Sequence, residues 1–143
     1  MIKVAIIGLG IMGRRMLQHM RIHEKFEPNY LWDPDKTACQ KAIEIDSEAK
    51  IMNSPEEAID AADLVYLACP PQVREAHAIQ TAQKGKALFL EKPLGIDIDH
   101  SKSLINKLKG FNVPLAVNFT QAAGPALNCL LYTSPSPRDR IAS

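Results

Sequence analysis

Three short stretches hold residues whose types and spacing could do chemistry. The first is Gly8-Leu9-Gly10-Ile11-Met12-Gly13, a G-x-G-x-x-G pattern. Glycines also mark ordinary turns, so the pattern alone says little. Here it follows a β-branched run, Ile2 to Ile7, and opens a helical stretch. In that setting the first glycine permits a tight turn, the second lets a pyrophosphate approach the backbone, and the third lets helix and strand pack closely. Free N–H groups at the helix start, those of Ile11 and Met12 among them, then face the phosphates. The second is Asp33, 20 residues after Gly13, at the end of the next apolar run. An acid there accepts hydrogen bonds from a ribose diol and repels a 2′-phosphate. No arginine follows in Asp33-Pro34-Asp35-Lys36, though Lys36 is a nearby cation. NAD is the expected cofactor and NADP the second choice. A simple turn with Pro34 is the other reading of Asp33.

The third stretch is Glu91-Lys92-Pro93, at the tip of the apolar run Ala87-Leu88-Phe89-Leu90. A lysine beside a cationic nicotinamide ring could give or take a proton. Nearby positive charge and partial burial would favour its neutral, proton-accepting form. The alternative is a surface lysine after a buried strand, with Pro93 ending the pairing. Local sequence leaves the two readings open.

The elements that must position these residues alternate along the chain. Strands are expected at Ile2 to Ile7, Tyr30 to Trp32, Lys50 to Met52, Asp63 to Cys69, Ala87 to Leu90 and Pro114 to Phe119. Between them lie helical patterns. Ile11 to Ile22 carries Met12, Met16 and Met20 with Gly13 and Leu17 at helical spacing, and Asp35 to Ile45 places Ala38, Ala42 and Ile45 inward. Ser54-Pro55-Glu56-Glu57 is a helix start, with a capping serine, a first-turn proline and acids at the positive end. Val73 to Gln83 and Asp99 to Leu108 complete the set, the last with Leu104, Ile105 and Leu108 apolar. Strands separated by helices require crossovers and a parallel sheet. Near-continuous apolar strands imply burial on both faces. The expected fold is α/β, a doubly wound parallel sheet. In such a sheet ligands bind beyond the carboxyl ends of the strands. The glycine loop, Cys69-Pro70-Pro71 and Glu91-Lys92-Pro93 all lie at that edge.

The chain has 143 residues, 46% hydrophobic and 23% charged, with a net charge of +1. That suits one domain with one sizeable core. No broad field points to nucleic acid or an anionic membrane. No apolar run approaches the ~20 residues of a membrane-spanning helix, and the start runs straight into a strand without a signal peptide. Cys39, Cys69 and Cys129 cannot all pair and show no zinc spacing. His19 and His23 share a helix face without further ligands, so a solvated face is expected and no metal site. A reducing cytoplasm follows as the expected location.

With these motifs together, the chain resembles the glucose-fructose oxidoreductase and inositol dehydrogenase family, Gfo/Idh/MocA. The resemblance covers roughly residues 1 to 128 and rests on "IIGLGIMG", Asp33, "ACPPQ" and above all "GKALFLEKPLG". "VPLAVNFTQ" resembles the strand leading into the family's second domain. The resemblance implies NAD(P)-dependent interconversion of a hydroxyl and a carbonyl on a sugar, polyol or related small molecule. It makes Lys92 the catalytic or substrate-orienting lysine and gives Glu91 and Pro93 the task of positioning it, with a cis Lys92–Pro93 bond. Cys69, Pro70 and Pro71 match the loop along the cofactor, and Glu91 belongs with the cofactor-binding set. Asn118 lies where a residue often borders the nicotinamide. Arg74 departs from the pattern, since the family commonly has histidine three residues after Pro71; His77 follows one turn later.

On this reading residues 1–121 are the dinucleotide-binding domain, and 122–128 begin a substrate domain, an α+β unit, that is almost entirely missing. Residues 129–143 resemble translated sequencing adaptor and are expected to be a non-native tail, a genuine disordered tail being the other reading. The full-length protein is expected to be a homo-oligomeric enzyme, with this shortened chain inactive alone. Two other functions fit the same loop: a non-catalytic dinucleotide-binding redox sensor, and another small Rossmann reductase. A sensor needs no proton relay, so Lys92 argues against it.

Overall fold

In the computed structural model, residues 1–120 and residue 125 are described. The expected second-domain start at 122–128 lies outside them but for Pro125, and the expected tail at 129–143, with Cys129, lies outside them entirely. The elements run β1 (Ile2–Ile7), α1 (Ile11–Arg21), β2 (Phe26–Trp32), α2 (Lys36–Ile45), β3 (Lys50–Ile51), α3 (Pro55–Ala61), β4 (Leu64–Leu67), α4 (Pro71–Gln83), β5 (Ala87–Glu91), α5 (Ile98–Lys109) and β6 (Leu115–Asn118). The strands form one sheet in the order β3-β2-β1-β4-β5-β6. Every pairing is parallel. This is the expected doubly wound α/β fold.

The alternation of β1 explains the two layers. Ala5 and Ile7 point into a core with Ala58 and Ile59 of α3, Ala78 and Ala82 of α4, and Leu104 and Leu108 of α5. Val4 and Ile6 point into the opposite core, with Leu17 and Met20 of α1 and Ala38 and Ala42 of α2. Each fully buried Ile or Leu contributes about 1.5–3 kcal/mol of transfer free energy. The helix termini follow the caps legible in the chain. Ser54 accepts from the Glu57 N–H at α3, with Pro55 in its first turn. Asp35 accepts from the Thr37 N–H at α2, and Asp97 from the His100 N–H at α5.

Several element ends shift by a residue or two, and α1 stops at Arg21, short of His23; three expectations change further. β2 begins at Phe26 rather than Tyr30, through Glu27 and Pro28. Its register with β1 shifts between Lys3 and Ala5, opposite the stretch that holds Pro28. A proline lacks the N–H a regular ladder needs, and a bulge accommodates it. Ile45 is 37% exposed, not inward. The inward face at the end of α2 runs through Cys39, Ala42 and the C-cap Asp46, whose carboxylate pairs with Arg21 of α1. Finally, β4 ends at Leu67 and not at Cys69, because Pro70 caps and Pro71 opens α4 directly afterwards.

Candidate active site

The sheet register assembles the site. Ile7 pairs with Trp32 and with Leu67, Leu67 with Leu90, and Glu91 with Asn118. One step beyond Trp32, Ile7, Leu67 and Leu90, the residues Asp33, Gly8, Ala68 and Glu91, the last paired with Asn118, form a single row along the carboxyl edge of five strands. Four of the five are residues singled out from the sequence. Cys69 and Lys92 lie one step further out.

Each glycine of the loop has its own reason. Gly8 has φ +95°, and a Cβ there would lie 2.5 Å from the Cys69 nitrogen. The loop after β4 therefore presses directly on the glycine loop. A Cβ on Gly13 would lie 1.9 Å from the Gly8 carbonyl oxygen, so α1 packs as close to the loop as glycine allows. Gly10 differs: a Cβ there meets nothing within 4 Å. Packing within the described residues does not require a glycine at 10. Open space over a backbone at a helix start is the cradle a phosphate would fill. Gly10 caps α1, and no side chain caps that terminus.

The Leu9 peptide is held on both sides. Its N–H donates to Asp33 Oδ2 at 2.6 Å, and its carbonyl accepts from Arg14 Nη1 at 2.6 Å. Asp33 Oδ1 accepts from the Asp35 N–H at 2.8 Å. Asp33 thus reaches from the end of β2 to the loop after β1. Beside it is a cleft of about 380 Å³, lined by Trp32, Asp33, Pro34, Lys36, Met52 and Asn53 among others.

Lys92 stands at the tip of β5, and its bond to Pro93 is cis, as the resemblance implies. Its side chain is exposed and not partly buried, because the described residues lay no covering layer over this edge. Glu91 is 3% exposed and points inward. Its Oε2 accepts from the Tyr66 hydroxyl and, at 2.8 Å, from Asn118 Nδ2. Burial and the Glu91 carboxylate hold the Tyr66 phenol well above its ordinary range, so it stays a donor. Glu91 and Asn118 are thus joined beneath Lys92, and Thr120 Oγ1 donates to Asn118 Oδ1 at 3.3 Å.

Sequence reasoning missed Tyr66, and it marked Arg74 only as a departure from the family pattern, without a role. Arg74 is buried in α4 and donates to the carbonyls of Cys69, Glu91 and Pro93. Burial lowers its pKa, opposed by its Cys69 and Glu91 neighbours. The Cys69 thiol is raised by burial, with Arg74 pulling the other way. His77 is elsewhere, edge-on to Trp32 at 5.9 Å between centroids, and burial lowers its pKa. Among the described residues, no group of three or more His, Cys, Asp or Glu side chains is arranged to hold a metal ion, and no helix is long and apolar enough to cross a membrane.

A profile of the GFO_IDH_MocA family, an oxidoreductase family with an NAD-binding Rossmann fold, matches residues 2–119. The chain belongs to this family. The NAD expectation and the fold expectation hold at that level. Among its relatives is an uncharacterized oxidoreductase of Streptococcus pneumoniae, 30% identical over 115 residues, which are 79% of this chain and 30% of that protein. Another is the scyllo-inositol 2-dehydrogenase (NAD(+)) of Bacillus subtilis, 30% identical over 132 residues, 87% of this chain and 37% of that one. The chain spans 30–40% of the length of the curated relatives it matches. In fold it is similar to the myo-inositol dehydrogenase of Lactobacillus casei, solved with NAD(H) and myo-inositol. The TM-score is 0.79 at 23% identity, over 90% of this chain and 40% of that one.

Proposed function

We propose that the whole protein oxidises a hydroxyl of an inositol-like polyol with NAD, and that residues 1–121 are its dinucleotide-binding domain. The observation that carries this reading is the register row, which sets the glycine loop, Asp33 and the base of Lys92 on one edge. Polyol chemistry is supported by the inositol dehydrogenases of Bacillus subtilis and Corynebacterium glutamicum among the relatives. The relatives' greater length supports a second domain that begins after residue 121 and holds the substrate. Residues 129–143 belong to neither domain on this reading. Free, buried Cys39 and Cys69 suit a reducing cytoplasm, and family resemblance favours a homo-oligomer.

The N–H groups of Ile11, Met12 and Gly13 would face the pyrophosphate across Gly8 and Gly10. Asp33 would accept from the ribose diol. Cys69, Pro70 and Pro71 would run along the dinucleotide, with Asn118 beside the nicotinamide. When bound, NAD supplies the hydride acceptor. Lys92 takes the hydroxyl proton as the substrate carbon loses its hydrogen with both bonding electrons, and passes that proton to water. Glu91, held by Tyr66 and Asn118, fixes the strand end from which Lys92 projects.

The test is NADH formation by the whole protein with myo-inositol, scyllo-inositol and a sugar panel. Lys92→Ala should lower kcat by about 10²–10⁴-fold, the range of a positioned acid or base. No turnover of any polyol would sink the substrate reading. Full activity of Lys92→Ala would sink the role of the lysine.

A further inference from the structure

Arg74 is a cation in a place where burial disfavours one: it is 2% exposed. Its nearby carboxylate, Glu91, has a buried Oε1 without a hydrogen-bond partner among the described residues. What the guanidinium does with its donors is specific. Nε and Nη2 donate to the Cys69 carbonyl at 3.1 and 2.6 Å. Nη1 donates to the carbonyls of Glu91 and Pro93. Those two residues flank Lys92. One planar group therefore holds the residue before and the residue after the lysine. It joins both to Cys69, whose backbone nitrogen lies against Gly8.

We infer that Arg74 is a positioning residue that fixes the backbone of Lys92 and ties it to the loop after β4. The lysine and the loop along the dinucleotide then move as one unit. The inference rests on the role proposed for Lys92. It predicts something that charge balance with Glu91 does not. A lysine at position 74 keeps the charge but has no rigid fork to span three carbonyls. Arg74→Lys should therefore fold and still fail in geometry.

The test uses the whole protein, wild type and Arg74→Lys, with and without NAD. Amide hydrogen exchange at residues 91–95 should quicken by about tenfold in Arg74→Lys, as local opening becomes easier, with residues 4–7 of β1 unchanged. In the wild type, NAD should slow exchange at 68–74 and 91–95 together; in Arg74→Lys only the first segment should respond. With myo-inositol, kcat should fall by about 100-fold, the scale of a displaced reacting group, while the KM for NAD changes little. Wild-type exchange and kcat in Arg74→Lys would overturn the inference, because charge alone would then suffice. So would a wild-type 91–95 segment that ignores NAD. If instead Lys92→Ala turns over normally, the reading of the lysine falls, and the exchange rates alone decide for or against Arg74.

Discussion

Asp33 serves two neighbours with one carboxylate. It accepts from Leu9 in the glycine loop and from Asp35 at the start of α2. A ribose diol would share lone pairs already aimed at the loop, so the acid would prepare the site as well as contact its occupant. Asp33→Ala should weaken NAD binding by about 1–3 kcal/mol, the scale of hydrogen bonds to a charged group. Titration calorimetry reads this directly, and equal binding by both forms would remove Asp33 from the site. At this scale the sequence was legible wherever a residue's reason is local. Gly8 needs its positive φ for a turn within its own loop. The role of Arg74 was illegible for the opposite reason. Its partners Cys69, Glu91 and Pro93 come from two other segments. A helical arginine at that spacing reads the same whether it faces solvent or three carbonyls. Tyr66 is similar: it reads as strand filler until the register brings Glu91 and Asn118 together.

The joint between β1 and α1 separates packing from binding. Gly13 meets the Gly8 carbonyl, whereas Gly10 meets nothing. Gly13→Ala should force the helix off the loop and destabilise the fold by about 3 kcal/mol or more, the upper end of overpacking costs. Gly10→Ala should cost only about 1 kcal/mol in stability, the N-cap preference for glycine over alanine, because the added Cβ meets nothing. It should nevertheless weaken NAD binding by about tenfold or more, or about 1.4 kcal/mol. Thermal melts beside NAD titrations test the contrast. A Gly10→Ala variant that binds NAD normally would show that no phosphate lies over that backbone. Elements with strong periodic patterns were legible, as α1 and β1 show. The start of β2 was not, because Glu27 and Pro28 carry no strand signal, and only pairing with β1 across a bulge recruits them. Ile45 misleads by type: Asp46 turns inward because Arg21 waits for it on α1.

At the scale of the molecule, Lys92 stands exposed at the carboxyl edge of the sheet. On the proposal that substrate is held beyond residue 121, the 143-residue chain should bind NAD and turn over no polyol. The whole protein should do both. Calorimetry and an NADH assay on the two forms would settle this, and robust turnover by the shorter form would refute it. The sheet order carries a different consequence, in the time the protein takes to be made. β1 lies at the centre, and its Val4 pairs with Leu64 of β4, 60 positions later. At a synthesis rate of about 5–20 residues per second, that neighbour arrives about 3–12 s after β1. Val4, Ala5, Ile6 and Ile7, wholly buried in the finished sheet, spend those seconds with one edge unpaired. During synthesis β1 is therefore an apolar strand with an open edge, the kind of surface that makes nascent chains prone to misassembly, and slower translation between β1 and β4 lengthens that exposure.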